Sequence, residues 1–322
     1  NELGMPSEIF INKVCDVTLF DSINYKLINK IPISEEEELQ FFQNNINSSS
    51  MMSQIKKEKD KRIYLFIPYL YGTTFFGAQI TPAKSILIPC LHDESYAYMK
   101  IFKKIFQNSS GVIFNSKPEK LLAESIYEKL PVNQVLGTGV EIQSGNPMHF
   151  KEKFHLDKFL LYTGRKDPQK NINTLVDYYC KYVEKNGEKF KMVLTGPGKI
   201  NVPSNHSEQI IDTIMSKEEL SDAYSAAFAT CQPSTNESFS FSIMESWLNS
   251  TPVLVHENCD VTREHCIQSN GGLYFNNYEE FESCIDYFLQ NPQDRKSMGE
   301  NGKNYVLNNF NWEKYINILI NI

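Results

Sequence analysis

The chain has 322 residues, 41% of them hydrophobic and 22% charged, with a formal net charge of −7. That length and balance suit one large or two medium globular domains with sizeable cores, and so acidic a chain lacks the basic face that a general nucleic-acid binder needs. Seven cysteines without CxxC or Cys/His spacing argue against a disulfide framework or a zinc site.

In chain order, residues 35–62 come first. They carry an acidic run (35–38), an Asn/Ser tract (44–50) and a basic run (56–62). Charge runs usually face water, so this reads as a solvated insertion of helix, loop and helix. Continuous apolar runs at 63–67, 85–89, 111–114, 134–137, 159–163, 191–195, 227–231 and 252–255 suit strands of a parallel sheet covered on both faces. Helical patterns lie between them. Ile172, Leu175, Val176, Tyr179 and Val183 share one helical face, as do Phe281, Cys284, Ile285, Phe288 and Leu289. Ser116 with Glu119, and Ser216 with Glu219, read as capping boxes opening helices. A basic, aromatic helix over 98–106 reads as amphipathic, packed on its own sheet, with contact to a lipid surface as the competing use.

Alternating β and α elements imply doubly wound α/β architecture. A polar stretch around Gly145, Asn146 and Pro147 reads as a linker, dividing the chain near residue 148 into 1–148 and 149–322. The first half lacks a clear opening strand followed by a Gly-rich turn, so the expectation is either that the chain starts inside the first domain or that this domain is abbreviated. No apolar run reaches transmembrane length, and the N-terminus has no signal pattern. The expected location is cytoplasmic, with peripheral contact at the inner membrane face left open.

Four features of the second half converge. The loop from Tyr162 to Asn171 follows a strand and carries Gly164, Arg165 and Lys170. Ligands of open α/β sheets sit beyond the carboxyl ends of strands, where an Arg fork and a Lys point charge can clamp a diphosphate. The turn Leu194-Thr-Gly196-Pro-Gly198 offers small residues that let backbone approach a ligand, or simply make a tight turn. Glu237 precedes a helix that starts near Ser240, and Glu245 lies within it among apolar neighbours. Its first free N–H groups are a ready anion site. Gly271-Gly272 reads as a turn.

Glu237 and Glu245, eight residues apart after a strand, resemble the EX7E motif of retaining glycosyltransferase family 4, often called group 1. The Gly-Arg…Lys-Asn loop, the Thr-Gly-Pro-Gly turn and the run 251–255 stand in that family's order. The resemblance covers 85–322 well and 1–84 poorly. It implies a GT-B fold, two Rossmann-like doubly wound domains facing across a cleft, with the donor site in the second and the last helix packing back on the first.

The same resemblance implies transfer of a sugar from a nucleoside-diphosphate sugar to an acceptor hydroxyl, with retained configuration, in glycan or polysaccharide assembly. Arg165 and Lys170 would hold the diphosphate, Glu245 the ribose and Glu237 the donor sugar. Backbone at Ser240 and Phe241 would contact phosphate, with the base near Ile214 and Met215. His92, after the run 85–89, matches the position where a histidine touches the transferred sugar. No metal and no cofactor beyond the donor substrate is implied, and no Asp-x-Asp motif is present to hold a divalent ion. The acceptor would be a glycan, lipid-linked or protein hydroxyl. Family members often read Glu-Gly-Phe-Gly where this chain reads Glu-Ser-Phe-Ser, so the competing expectation is a non-catalytic GT-B scaffold or partner subunit.

Overall fold

In the computed structural model, residues 16–141 and 143–320 are described, and the chain divides into two compact units, one ending at Leu136 and one starting at Gly137. The division falls before the expected boundary near 148 because the following segment packs on the second unit. The Val140 N–H donates to the Phe310 carbonyl at 2.8 Å, and the Gly145 N–H to Asn249 Oδ1 at 2.9 Å.

The first unit runs α1 (Val17–Ile28), α2 (Glu35–Asn44), α3 (Ser49–Glu58), β1 (Tyr64–Phe66), α4 (Gly72–Ile80), β2 (Ser85–Leu87), α5 (Ile101–Asn108), β3 (Gly111–Phe114), α6 (Lys117–Tyr127) and β4 (Val132–Val135). Its sheet is parallel, four-stranded and in sequence order, β1-β2-β3-β4. The expected solvated insertion at 35–62 is instead structural. Ser34 opens α2 with a full capping box, and Phe41 and Phe42 are buried at 1% and 0% exposure. The acidic run misled because only its outward side chains face water; Glu38 is buried and accepts the N–H groups of Lys100 and Ile101 that open α5. In α5 itself Phe102, Ile105 and Phe106 are buried in the core, so the helix keeps no apolar face for lipid.

The second unit runs α7 (Pro147–Phe154), β5 (Phe159–Thr163), α8 (Ile172–Asn186), β6 (Lys191–Thr195), β7 (Ile210–Thr213), α9 (Lys217–Ala226), β8 (Ala229–Gln232), α10 (Phe241–Leu248), β9 (Val253–His256), α11 (Asp260–Ser269), β10 (Gly272–Phe275), α12 (Tyr278–Gln290), α13 (Pro292–Asn309) and α14 (Trp312–Ile320). All pairings are parallel, in the order β10-β9-β8-β5-β6-β7. This is the Rossmann winding, outward from β5 to β7, then back across to β8 and outward to β10.

Apolar runs placed β3, β5 and β6 to the residue. They missed β7, a strand whose burial is mixed, and β10, whose opening Gly-Gly reads as a turn. Gly272 is required there because a Cβ would lie 2.2 Å from the Val253 carbonyl of β9. Gly271 serves packing as well: its carbonyl accepts the Nε1–H of Trp247, a fully buried side chain, at 2.8 Å. Among the described residues no helix is long and apolar enough to cross a membrane.

Candidate functional site

The winding of the second unit reverses between β5 and β8, and open α/β sheets bind ligands beyond the strand ends at such a point. β5 delivers Gly164, Arg165 and Lys166, then a short 3-10 turn over Pro168–Lys170. β8 delivers Glu237 and α10.

The turns after β5 and β6 are zipped together. The Gly164 N–H donates to the Thr195 carbonyl at 3.1 Å and the Lys166 N–H to the Pro197 carbonyl at 2.7 Å. Gly196 has φ +121°, and a Cβ there would lie 2.1 Å from the Gly164 carbonyl oxygen; one at Gly198 would lie 2.8 Å from that of Lys166. The glycines at 196 and 198 therefore permit turn-on-turn packing, the tight turn that the sequence offered beside approach to a ligand. Lys166, which sequence reasoning passed over, fastens the same junction: its buried ammonium donates to the Gly196 carbonyl at 2.7 Å and pairs with Asp212 at 2.5 Å. Arg165 between them is exposed, and its guanidinium has no hydrogen bond or ion pair among the described residues.

Lys170 is differently placed. Asn171 takes a left-handed conformation, φ +56°, and its side-chain amide donates to the Pro233 carbonyl at 3.1 Å, tying the β5 loop to the β8 loop. That tie brings Lys170 Nζ to 2.7 Å from Glu237 Oε1, with both side chains largely covered. Two residues assigned from sequence to different parts of a donor, the diphosphate and the sugar, hold each other.

α10 begins without a side-chain cap, so its first N–H groups are open to a ligand. Its N-cap, Ser240, sits at φ +69°, a region that favours glycine. Ser238, the other serine standing where the family often has glycine, has no positive φ. Ser242 is anchored by Gln232 Nε2 at 2.7 Å, and Phe241 is 50% exposed.

One turn further, Glu245 Oε2 accepts the Tyr224 hydroxyl at 3.0 Å, and that hydroxyl lies 2.6 Å from Thr163 Oγ1 at the end of β5. Burial pushes the Glu245 carboxyl above its ordinary value, against the opposing pull of Tyr224 and Lys217. Glu245 lines a cavity of about 250 Å³ with Lys217, Tyr224, Phe241, Asn249 and Trp312. Met215 is not in that wall; it packs instead with the core cluster around Tyr224. Lys217 and Tyr224 went unread, although their spacing of two helical turns on α9 puts them on one face.

In the first unit, His92 lies in the loop after β2, with Nδ1 3.7 Å from Glu94 Oε1. Glu94 also accepts the Tyr69 hydroxyl at 3.0 Å, and Asp93 accepts that of Tyr98 at 2.8 Å. Asp93, Glu94 and the half-exposed Tyr98 border an open cavity of about 530 Å³ together with Lys30, Ile31 and Met99.

Two parallel-sheet α/β units, the second wound as a Rossmann domain with cations and an open helix end at its switch point, define the class: a GT-B fold. Within that class, residues 146–305 match the family model described as "Glycosyl transferases group 1". The sucrose-phosphate synthase of Thermosynechococcus elongatus superposes with a TM-score of 0.71 at 18% identity, over 90% of this chain and 79% of that one. HepE of Anabaena, solved in complex with UDP, gives 0.69 at 11% identity, over 85% and 81%. The "O-antigen chain mannosyltransferase RfbU" of Salmonella typhimurium is 26% identical over 161 residues, 46% of this chain; the match spans 43% of that relative.

Proposed function

We propose that this protein is a retaining, metal-independent glycosyltransferase that moves a hexose from a nucleoside-diphosphate sugar to an acceptor hydroxyl in polysaccharide assembly. The observation that carries the reading is the cluster at the switch point: an unpaired Arg165, a Lys170 held against Glu237, and the uncapped start of α10. Transfer leaves charge developing on the departing diphosphate. A planar guanidinium, an ammonium and aligned backbone N–H groups stabilise that charge from fixed positions.

The Lys170–Glu237 pair gives the site a defined order of events. A diphosphate entering beside Arg165 competes for Lys170. The ammonium then turns to phosphate, and Glu237 is released to accept hydroxyls of the donor sugar. Glu245, held by Tyr224, accepts the ribose hydroxyls. RfbU is named a mannosyltransferase of the O-antigen chain, and HepE was solved with UDP, which supports a nucleotide-sugar donor and a glycan product. In the first unit, His92 would contact the transferred sugar, and the cavity beside Tyr98 and Asp93 suits a hydroxyl-rich acceptor: carboxylates accept from hydroxyls and a tyrosine ring covers an apolar sugar face. Buried, unpaired cysteines such as Cys231 and Cys266 fit a cytoplasmic location.

The test is a panel of UDP-, GDP-, ADP- and TDP-sugars, read by thermal shift and by release of nucleoside diphosphate. One donor should raise the melting temperature by mass action, and Arg165→Ala should abolish the shift. A wild-type protein that binds and consumes no member of the panel refutes the proposal.

A further inference from the structure

The expected capping box at Ser116 and Glu119 is only half made. The Ser116 hydroxyl accepts the Glu119 N–H at 3.3 Å, while the two shortest hydrogen bonds to the Glu119 side chain come from outside the box. It is 1% exposed and reaches across the sheet end, accepting the N–H of Leu91 at 2.6 Å and that of Asn115 at 2.5 Å. Burial pushes this carboxyl up to about 8, and the backbone N–H groups of Leu91, Asn115, Ser116 and Cys90 pull against that rise. One buried carboxylate thus gathers amides from two loops, the one that follows β2 and the one that follows β3.

The first of these loops carries His92. Its backbone bends through Cys90, a non-glycine residue at φ +55°, which an L side chain adopts only when its surroundings hold it there. Those surroundings are Glu119 on the amides and Asn115, whose side-chain amide lies 3.4 Å from Cys90 Sγ. Two residues beyond the bend, His92 leaves the turn toward Glu94. A carboxylate that binds backbone rather than side chains fixes the path of the chain, and so the direction in which the imidazole is offered.

We propose that Glu119 is a positioning residue: by gathering the amides of Cys90, Leu91 and Asn115 it holds the strained turn after β2 and thereby aims His92. The inference rests on the transferase reading of His92, so its experiment needs one readout that is independent of activity. Glutamine at this position keeps a single acceptor oxygen and turns an NH2 donor toward a backbone N–H, so the turn loses its brace.

Wild type, Glu119→Gln, His92→Ala and the double variant are compared as full-length chains. Turnover of UDP-glucose and of GDP-mannose is followed by release of nucleoside diphosphate, and amide exchange at Cys90 and Leu91 is followed by mass spectrometry. Exchange at these two amides should accelerate about tenfold or more in E119Q. Its kcat should fall by about tenfold, with donor KM within about twofold. The double variant should be no slower than H92A, because both changes remove one function. Unchanged exchange, or losses that multiply in the double variant, would overturn the proposal. If E119Q does not fold, Glu119→Asp, which keeps the charge and shortens the reach, must give the same non-additive pattern, and wild-type behaviour from it overturns the proposal equally. Should the wild type release no nucleoside diphosphate from any UDP-, GDP-, ADP- or TDP-sugar of the panel while E119Q still accelerates exchange, the transferase reading fails and the brace on the turn stands.

Discussion

Replacing Ser240 by glycine should stabilise the second unit, and the size of the gain follows from its backbone. Ser240 holds φ +69° at the start of α10. A side chain in the left-handed region costs about 1–2 kcal/mol, and glycine removes that cost while losing roughly 0.5–1 kcal/mol more chain entropy on folding. The Ser240 hydroxyl contributes little in return: it makes no cap hydrogen bond, and its contact with Ser242 Oγ at 3.3 Å duplicates a partner that Ser242 already has in Gln232. The net stabilisation is about 0.5–1 kcal/mol, a rise in Tm of roughly 1–4 °C for a unit of this size.

Ser238→Gly is the matched control. Ser238 has no positive φ, so glycine there brings the entropy cost alone and Tm should fall. Scanning calorimetry of the two variants side by side decides the matter. A Tm that falls in S240G as it does in S238G would refute the strain argument. It would mean that the serine side chain, not its backbone, secures the start of α10. UDP should also bind S240G a few-fold tighter, since a Cβ and a hydroxyl leave the open end of the helix.

Lys170→Ala should lower kcat/KM by about 10²–10³, the usual cost of losing one donor to a developing oxyanion, and Glu237→Ala should raise donor KM as well, measured by steady-state release of nucleoside diphosphate. Nucleotide affinity should weaken as pH falls into the range above the ordinary carboxyl value of 4.5, because Glu245 is raised by burial and ribose hydroxyls need its ionised form; UDP titrations by calorimetry should show this slope in the wild type and lose it in Glu245→Gln. Tyr98→Ala should raise the KM for acceptor at least about fivefold while leaving donor KM within about twofold, if the cavity beside Asp93 takes the acceptor.

What the sequence disclosed was local. The run 159–163 is apolar throughout because β5 lies at the centre of its sheet, covered on both faces, and its strand could be placed to the residue. Ser216 and Glu219 make their capping box because both partners lie in one helical turn. Strand β7 showed only as a strand-like run ending near Ile214 and β10 as a turn, because they are the two edges of that sheet, where half-exposed residues interrupt the apolar signal. Residues 35–62 misled for the complementary reason: charges on one side of a helix can coexist with Phe41 and Phe42 on the other, and composition averages the two sides together.

Of the candidate site, the residue types were legible in the sequence and the pairings between them were not. Arg165, Lys170, Glu237 and Glu245 could be named because strand ends and a helix start are local marks. That Lys170 would rest on Glu237, 67 residues away, and that Glu119 would reach beyond its own helix start to Leu91, 28 residues away, depends on the relative height of two loops that no periodicity encodes. The pairing also bears on how an acidic chain meets an anion. With a net charge of −7 the protein as a whole repels a diphosphate, so capture must come from the local field. Arg165 would supply that field in the free state, since among the described residues it has no ion pair. On the proposed reading Lys170 would supply its charge only when phosphate displaces Glu237, and an anion without a sugar would gain the ammonium but leave the glutamate without hydroxyls to accept. On the proposed reading a complete donor would satisfy both partners of the broken ion pair, so a nucleotide sugar should bind more tightly than the bare nucleotide.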